Sequence, residues 1–532
     1  MKRNFSKFTI LALVFGLALF GVLMAGCEKS APVDTPDTPD EPMEESVIII
    51  GTTDKVTDLD PGEAYDFYTW EIFHNIGAGL MTYEPGTTDL VPGLAEEWPE
   101  VSDDGTEYTF KLREGLTFSD GTPFNAEVVK FSIDRVIATK GDPSWLVDDF
   151  VESVEVVDEY TVKFILKDAF AYFPALVASV PYYPVSPNIY PADEVVTDPS
   201  ALVAIGPYVV ESFVREVELV LVKNPDYYGE APLNDKIIMK YYKDATTMRL
   251  AVENGEIDIA WKTLNPTDIA DLKEDPDLKV VEAAGAYIRY LCFVCNGDPF
   301  SDKILREAVA CALDRTSVAE KIFLNTVEPL YSMVPIGMWS HKDSFEETWG
   351  EYNVEKAKEL LAELGYNEEN PFEFELWYTP THYGDTESDM ALILKQGLEA
   401  TGVMKVELKS AEWGTYVDNF DIGNMGAFLL GWYPDYIDPD NYTSPFALST
   451  ASDSMGIFYQ DPGMDELLLG AQVETSMKGR TKLYEEAQDY WALEVPTAPI
   501  FQGKLFLVTQ PDIAGIKVAP TMIFNYKTVY RE

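Results

Sequence analysis

Positively charged residues, histidine and cysteine are scarce in this sequence. Its 532 residues include 39 Lys and Arg against 91 Asp and Glu, for a formal net charge of −52 at pH 7. Such a surface repels phosphate groups, which excludes nucleic acid as a partner. It also disfavours adsorption to anionic lipid, so membrane attachment would have to be covalent. Solubility is the simplest use of this charge, and steering of cationic ligands is the alternative.

The scarcity of histidine argues against metal and catalytic centres. The three histidines, His74, His341 and His382, lie far apart and show no metal-ligand spacing. The acidic stretch 435–440 lacks the glycine and the final Glu of a calcium-binding EF-hand loop. No Gly-x-Ser-x-Gly, His-Glu-x-x-His or phosphate-binding glycine loop occurs, and carboxylate pairs of glycosidase type are unavoidable among so many acids. We therefore expect no metal, no cofactor and no enzyme activity.

Three of the four cysteines lie in the body of the chain. Cys292 and Cys295 are three residues apart on a predicted strand, so their side chains point to opposite faces and cannot readily share a disulfide or a metal. Cys311 lies inside a predicted helix. We expect all three to be buried apolar residues without a redox function.

One hydrophobic run, Phe8 to Met24, stands near the start of the chain. Lys2, Arg3 and Lys7 precede it and Ala25-Gly26-Cys27 follow, which is the pattern of a secretory signal peptide over residues 1–26. The run is shorter than the ~20 apolar residues of a membrane span. Residues 27–46 are rich in Pro, Asp, Glu, Ser and Thr, a composition that predicts a disordered linker.

Residues 47–532 are too many for a single core and predict two or three subdomains. In the first half, period-two alternation predicts strand pairs, among them Val154–Val157 with Thr161–Leu166. In the second half, apolar residues at helical spacing predict a helix between Asn353 and Gly365, followed by a strand at Phe372–Tyr378. Further helices and strands alternate after it. This order predicts an α/β fold with a partly parallel sheet.

A series of short motifs then follows along the chain in a fixed order. They include Leu59-Asp-Pro61, the block from Tyr108 to Phe124, Gly206-Pro-Tyr208, Asn224 to Gly229, and Ala312-Leu-Asp-Arg315. In this order the sequence resembles the peptide- and nickel-type substrate-binding lipoproteins of ABC importers, the extracellular solute-binding protein family 5. The match covers nearly the whole mature chain.

The resemblance implies a two-lobed periplasmic-binding-protein-like α/β fold, with a hinge of two strands and an extra subdomain inserted in lobe one. Lobe one would comprise residues 47–85, 206–292 and 503–532, the inserted subdomain 86–205, and lobe two 296–500. The hinge would pass through 291–296 and again through 499–505. Met24-Ala-Gly-Cys27 resembles a lipobox, so the protein would be exported to the periplasm or cell surface and anchored by acylated Cys27.

The stretch from Glu412 to Tyr436 is closest to the oligopeptide- and dipeptide-binding branch. By this resemblance Asp435 would pair with the α-ammonium group of a peptide, and the backbones of Gly431 and Tyr433 would bond its main chain as an added strand. The other expected ligand-binding residues are Trp432 and Trp413 as side-chain pockets, Tyr65, Asp66 and Phe67 on the opposite side, and Asn296 at the end of the hinge strand.

One feature departs from that branch. Peptide binders often place arginines between the two tryptophans, where they hold the carboxylate of the ligand, but the stretch 414–431 contains no Arg or Lys. Carboxylate recognition must come from elsewhere, or the ligand has no carboxylate. A short peptide is the expected ligand, an oligosaccharide the alternative and a nickel complex the more distant one. The expected partners are an ABC permease and its cytoplasmic ATPase subunits, and the chain shows no sign of oligomerisation, so we expect a monomer.

Overall fold

The computed structural model describes residues 45–197, 202–518, 520–521 and 523–532. The predicted signal peptide over residues 1–26, the lipidation site Cys27 and the predicted linker as far as residue 44 lie outside the described residues. Among the helices that are described, none combines the length and the apolar character needed to cross a bilayer.

The strands and helices alternate in the order expected for an α/β protein. The strands are β1 Val47–Thr52, β2 Met81–Tyr83, β3 Leu90–Pro92, β4 Glu100–Val101, β5 Glu107–Lys111, β6 Val151–Asp158, β7 Thr161–Leu166, β8 Tyr208–Val214, β9 Glu218–Lys223, β10 Lys236–Tyr241, β11 Ile259–Trp261, β12 Lys279–Phe293, β13 Val327–Pro329, β14 Phe372–Tyr378, β15 Met404–Ser410, β16 Ala427–Trp432, β17 Thr497–Thr509, β18 Ile513–Ala514 and β19 Tyr530–Arg531. The α-helices are α1 Phe67–Ile76, α2 Ala126–Thr139, α3 Trp145–Asp148, α4 Phe173–Leu176, α5 Ala245–Glu253, α6 Pro266–Leu272, α7 Lys303–Cys311, α8 Arg315–Ser317, α9 Ser344–Trp349, α10 Val354–Glu363, α11 Glu387–Glu399, α12 Trp413–Asp421, α13 Ser444–Ala447, α14 Pro462–Val473 and α15 Met477–Glu494.

Local sequence signals set several of these boundaries. The side chain of Asn353 accepts a hydrogen bond from the backbone N–H of Lys356 and so caps α10. Gly365 follows the end of this helix with a φ of 85°, a conformation that glycine adopts without strain. The predicted strand Phe372–Tyr378 is present as β14 with the same bounds. The helical period and the capping residues were therefore sufficient to predict this part of the fold.

A mixed sheet runs through the described part of the chain. Its main order is β15-β14-β16-β12-β17-β11-β1-β10-β9-β8, and β13 also pairs with β17. β14 is parallel to β15 and β16, and β1 is parallel to β10 and β11, whereas the central strands β12 and β17 are antiparallel to each other. The expected partly parallel sheet is confirmed. A separate four-stranded sheet, β4-β5-β7-β6, lies within the predicted inserted subdomain.

Two large apolar cores correspond to the two lobes of the fold. One core contains side chains of α7, α10, α11, α14, α15 and β14 to β16. The other contains side chains of β1, α1 and β8 to β11 together with those of β5, α2, β6 and β7. The predicted inserted subdomain therefore has its own sheet but shares the core of its neighbours. A small third cluster lies around α5 and α6.

β12 and β17 are the strands that connect the two cores. The register between them shifts between Ala284, which is opposite Lys504, and Ile288, which is opposite Gln502. At this shift a side chain on Gly285 would lie 2.7 Å from the carbonyl oxygen of Gly503, so the backbones approach too closely for any other residue. Gln502 donates a hydrogen bond to the carbonyl of Gly285 at 2.7 Å and holds the irregular segment.

The passage between the cores thus lies near residues 284–288 of β12 and 502–505 of β17. Side chains from Ala286 onward along β12 already pack in the core of lobe two, while the side chains of Val281 and Ala283 pack against the other core. The first crossing expected at 291–296 lies further along β12 than the passage seen here, because the side chains of Ala286 and Ile288 already belong to the core of lobe two. The second crossing expected at 499–505 overlaps the observed one.

Candidate functional site

The end of β16 has one edge without a partner strand. On one side β16 pairs with β12 along its whole length, from Ala427 opposite Phe293 to Trp432 opposite Ile288. On the other side β14 pairs only with Ala427 and Phe428. Beyond that point the hydroxyl of Tyr416 donates to the carbonyl of Leu429 at 2.8 Å. A free strand edge of this kind can accept the main chain of a peptide as an additional strand.

The backbone of Gly431 lies on this free edge. Backbone groups alternate in direction along a strand, so those of Gly431 share the orientation of Leu429, whose carbonyl accepts from Tyr416 on the side away from β12. Tyr433 follows the last residue of β16. The nearest group to the Gly431 carbonyl on this edge is the hydroxyl of Tyr383, at 3.4 Å. At that distance the hydrogen bond is weak. The carbonyl of Gly431 therefore has no strand partner on this side, and the roles of Gly431 and Tyr433 in binding main chain stay predictions.

Asp435 lies just beyond the strand and is buried, with 8% of its surface exposed. Its Oδ1 accepts a hydrogen bond from the hydroxyl of Tyr65 at 2.7 Å, and its Oδ2 lies 3.5 Å from the amide nitrogen of Asn441. No cationic side chain among the described residues pairs with it. Burial raises the pKa of the Asp435 carboxyl to about 6, against the opposing effect of these hydrogen bonds.

Asn441 organises the turn that carries Asp435. Its Oδ1 accepts hydrogen bonds from the Nε1 of Trp432, at 3.0 Å, and from the backbone N–H of Asp435, at 3.1 Å. The indole of Trp432 also packs edge-on against Phe446, with ring centroids 5.0 Å apart. Trp432 is thus held by a hydrogen bond and by packing. The same Asn441 holds the backbone of Asp435.

Residues before and at the start of α1 face this turn from lobe one. The ring of Phe67 lies 5.1 Å from that of Tyr433, which is stacked on Tyr287 at 5.2 Å. Tyr65 is 43% exposed, although its hydroxyl reaches Asp435. Tyr65, Phe67, Tyr433 and Asp435 are therefore brought together between the lobes.

Asp66 has a different role from its two neighbours. Its carboxylate caps α1 by accepting a hydrogen bond from the backbone N–H of Thr69 at 2.8 Å, and it also accepts one from the hydroxyl of Thr57. Both hydrogen bonds are local, and they satisfy the carboxylate within lobe one. The structure explains Asp66 as a helix cap.

Trp413 lies at the start of α12 and contacts the segment formed by His382 and Tyr383. Its indole stacks on the imidazole of His382, with centroids 3.7 Å apart and planes within 2°, and lies 5.8 Å from the ring of Tyr383. Trp413 therefore supports the 382–383 segment. Through Tyr383 it reaches the same strand edge as Gly431.

Asn296 is not brought to this place. It follows the far end of β12, beyond the pairing of Phe293 with Ala427. There it lines a separate pocket with Cys295, Arg306 and Asp461. We leave Asn296 out of the site because the length of β16 separates it from Asp435.

The cysteines have the environments expected from the sequence. Cys292 and Cys311 are buried and Cys295 is half-buried, and all three are free thiols. Burial raises the pKa of the Cys295 thiol to about 11 and that of Cys311 to about 12, which keeps both protonated and unreactive near neutral pH.

Arg289 was not among the ligand-binding residues expected from the sequence. It lies on β12 opposite Gly431 and is 4% exposed. Its Nη2 donates to Glu387 at 2.8 Å and its guanidinium lies 3.4 Å from the ring centroid of Tyr383. Within the described residues, its Nε and Nη1 have no acceptor. The only sign of its role in the sequence is its place in the otherwise apolar strand Tyr287 to Phe293. Charged residues are almost never buried without a partner, so an arginine there predicts a partner nearby.

A cavity of about 30 Å³ lies beside Asp435 and is lined by side chains that include Phe67, Trp70 and Tyr83. It has room for one water molecule but none for a peptide residue. Elsewhere in the described part of the chain, no cluster of three His, Cys, Asp or Glu side chains is arranged to hold a metal ion.

The chain is similar in sequence and fold to known proteins. A sequence model of the family described as Bacterial extracellular solute-binding proteins, family 5 Middle, matches residues 89–454. The chain is 27% identical to Di/tripeptide-binding protein 2 of Pseudomonas aeruginosa (strain UCBPP-PA14), over 88% of this chain and 92% of the relative. It is 28% identical to Heme-binding protein A of Haemophilus influenzae, over 97% of both.

The fold also matches a solved structure. This is the ABC transporter-associated periplasmic binding protein DppA from Helicobacter pylori in complex with the peptide STSA, with a TM-score of 0.74. The alignment covers 92% of this chain and 99% of that one at 24% identity. The two-lobed α/β architecture of periplasmic peptide-binding proteins is therefore shared by this chain.

Proposed function

The chain belongs to the bacterial extracellular solute-binding proteins, family 5, and we therefore propose that it captures short peptides between its two lobes and delivers them to the permease of an ABC importer. The family consists of binding proteins and not of enzymes. Capture requires no covalent step. Among the proteins compared above, one relative is named for di- and tripeptides and the solved structure contains a peptide.

The single observation that supports a peptide is Asp435. A buried carboxylate without a cation is costly, and an ammonium group that arrives with the ligand removes that cost. The α-ammonium group of a peptide would displace or join the hydroxyl of Tyr65, whose side chain is 43% exposed and so can be reached from solvent. The peptide main chain would then pair with Gly431 and Tyr433 at the free edge of β16.

The alternative ligands have weaker support. An oligosaccharide offers no cation for Asp435, and a nickel complex finds no set of imidazole or thiolate ligands in the described residues. Hydrogen bonds to the peptide main chain do not depend on the peptide's side chains, so this mode of binding suits a protein that accepts peptides of many sequences.

Closure of the lobes completes the proposed mechanism. A ligand that touches Asp435 in lobe two and the Tyr65–Phe67 segment in lobe one favours the closed form, because only contacts made in that form shift the equilibrium. The movement would take place where β12 and β17 pass between the cores, at the irregular pairing around Gly285 and Gly503. The permease would recognise the closed form, and its ATPase subunits would supply the energy.

The identity of the ligand is tested by mass spectrometry of small molecules released on denaturing the natively purified protein. We expect short peptides with free amino termini. The released peptide, added back to refolded protein, should bind in a calorimetric titration. Recovery of sugars or metal ions alone, with no calorimetric binding of peptides, would contradict the proposal.

Anchoring at Cys27 belongs to the same proposal. The lipobox-like sequence Met24 to Cys27 supports acylation after export, which would hold the acidic body at the membrane surface. We expect Cys27→Ser to move the full-length protein from the membrane fraction to the soluble extracytoplasmic fraction. A variant that still fractionates with membranes would contradict the lipid anchor.

A further inference from the structure

The described residues bury one cation beside the proposed peptide site without satisfying it. Arg289 is 4% exposed, yet only its Nη2 has an acceptor, the Oε1 of Glu387 at 2.8 Å. Its Nε and Nη1 are buried and have no hydrogen-bond partner among the described residues. Buried donors in proteins are almost always satisfied, so two open donors on one guanidinium, placed beside an unpaired strand edge, favour completion by a ligand.

The position of Arg289 links it to the strand edge at which a peptide would lie. Arg289 is directly opposite Gly431 in the pairing of β12 with β16. A Cβ atom at position 431 would lie 1.9 Å from the Nη1 of Arg289, so the guanidinium passes over Gly431 in space that only a glycine leaves open. Any side chain at residue 431 would displace the arginine. The glycine therefore brings the cation to the same residue whose backbone faces the free edge.

The surroundings favour an anion as the missing partner. The guanidinium is planar and stacks on Tyr383 at 3.4 Å, an arrangement that leaves its in-plane N–H groups available for a carboxylate. Burial and the charge of Arg289 both lower the pKa of the neighbouring His382, so this imidazole is neutral near pH 7 and does not compete for an anion. Glu387, on the opposite side, holds one nitrogen and fixes the orientation of the group.

We propose that Arg289 is the specificity-determining residue that binds the carboxylate end of the ligand, with Tyr383 moving aside to admit it. This inference rests on the proposed peptide function. It also supplies the cation that the stretch 414–431 lacks, from a different strand of the sheet.

The two charged groups also limit the length of the ligand. Asp435 would hold the ammonium end, and Arg289 the carboxylate end opposite Gly431. An extended chain rises about 3.3 Å per residue, so the segment from Gly431 to Asp435 spans at most about 13 Å. A peptide of about two to four residues fits between them. Longer peptides could satisfy only one of the two groups.

The test uses two peptide probes and two variants. The probes are a mixed-sequence tripeptide pool with free carboxyl ends and the same pool with amidated ends. The protein is refolded to remove bound ligand, and binding is measured by equilibrium dialysis and mass spectrometry. The main variant, Arg289→Gln with Glu387→Gln, removes both charges so that neither is left buried alone. Arg315→Gln is the matched control, because Arg315 is 2% exposed, lies over the ring of Tyr331 and has an unpartnered Nη2, while its Nε donates to the carbonyl of Pro499 on β17 and not to β16.

We expect wild-type protein to bind the free-acid pool about 30-fold or more tightly than the amidated pool, as for loss of one partner of a buried charge pair. The double variant should lose this preference and keep its affinity for the amidated pool, and Arg315→Gln should retain the preference. Equal binding of both pools by wild type, or an equal loss for both pools in the double variant, would overturn the role of Arg289. Failure of wild type to bind either pool would overturn the peptide function as well.

Discussion

Asp435 and Asp438 lie in the same loop, but their charges are compensated in different ways. Both oxygens of Asp438 accept hydrogen bonds from Arg480, at 2.8 and 2.7 Å, in a fully buried ion pair. Asp435 is also buried, yet its partners are a hydroxyl and an amide, which carry no charge. A buried carboxylate that is paired with a cation of the protein stabilises the fold. A buried carboxylate without such a partner can pair with a cation of the ligand.

Asp440 shows that the absence of a cation is not sufficient by itself. Its carboxylate is buried and accepts hydrogen bonds from Tyr436 and Ser444, which are buried, and from the half-buried Gln472. Asp435 differs because its closest partner, Tyr65, is 43% exposed and belongs to the other lobe. A ligand can therefore replace that partner without disrupting a core.

The largest expected effect comes from breaking the structural ion pair. Asp438→Asn leaves the guanidinium of Arg480 buried without its counter-charge, and we expect the free energy of unfolding to fall by about 3–5 kcal/mol. Chemical denaturation of the ligand-free protein measures it. Asp435→Asn is the control and should not lower the free energy of unfolding. Similar losses in the two variants would remove the distinction between the two aspartates.

The pH dependence of stability gives the next effect. The pKa of Asp435 is raised to about 6 in the folded protein, whereas an unfolded aspartate titrates near 3.9. Between these values the folded chain holds a proton that the unfolded chain has lost, so the free energy of unfolding falls as pH rises from about 4 to 6. The total fall attributable to this group is about 3 kcal/mol.

Denaturation of wild type and Asp435→Asn between pH 4 and pH 7 isolates this contribution, because other titrating groups are common to both proteins. We expect the variant to become the more stable of the two as pH rises. A wild type whose stability relative to the variant increases over this interval would show that Asp435 is already compensated in the ligand-free fold.

The smallest effect sharpens the assignment of Asp66. Because its carboxylate caps α1, we expect Asp66→Ala to lower the free energy of unfolding by about 1 kcal/mol and to leave peptide affinity unchanged. Asp66→Ser, which can still cap the helix, should recover the stability. Thermal denaturation and calorimetry measure the two quantities. A loss of peptide affinity in both variants would instead make Asp66 a ligand contact.

Much of the fold was accessible from the sequence because its signals are local. Asn353 and Gly365 mark the ends of a helix, and alternation marks β14. The α/β class followed from such elements, and the two lobes followed from the resemblance to a known family that the ordered motifs carry. The point where β12 passes between the cores was not accessible in the same way. It depends on contact between Gly285 and Gly503, which are distant in the chain.

The residues of the candidate site also fall into those that local motifs predicted and those that depend on distant contacts. The segment Gly431 to Asp435 and the segment Tyr65 to Phe67 carry motifs that could be compared directly, and the structure brings most of these residues together. Arg289 carries no such motif, and only the pairing of two strands places it beside Gly431. Asp66 was expected at the ligand, and only the structure shows that its carboxylate caps α1.

The most direct measurement of the central claim is a double-mutant cycle by calorimetry, in which wild type and Asp435→Asn each bind one peptide identified from the native protein and its N-acetylated form. We expect either change alone to weaken binding by about 2–4 kcal/mol. The two changes together should weaken binding by little more than either change alone. Independent, additive losses would show that the ammonium group of the ligand is held somewhere other than Asp435.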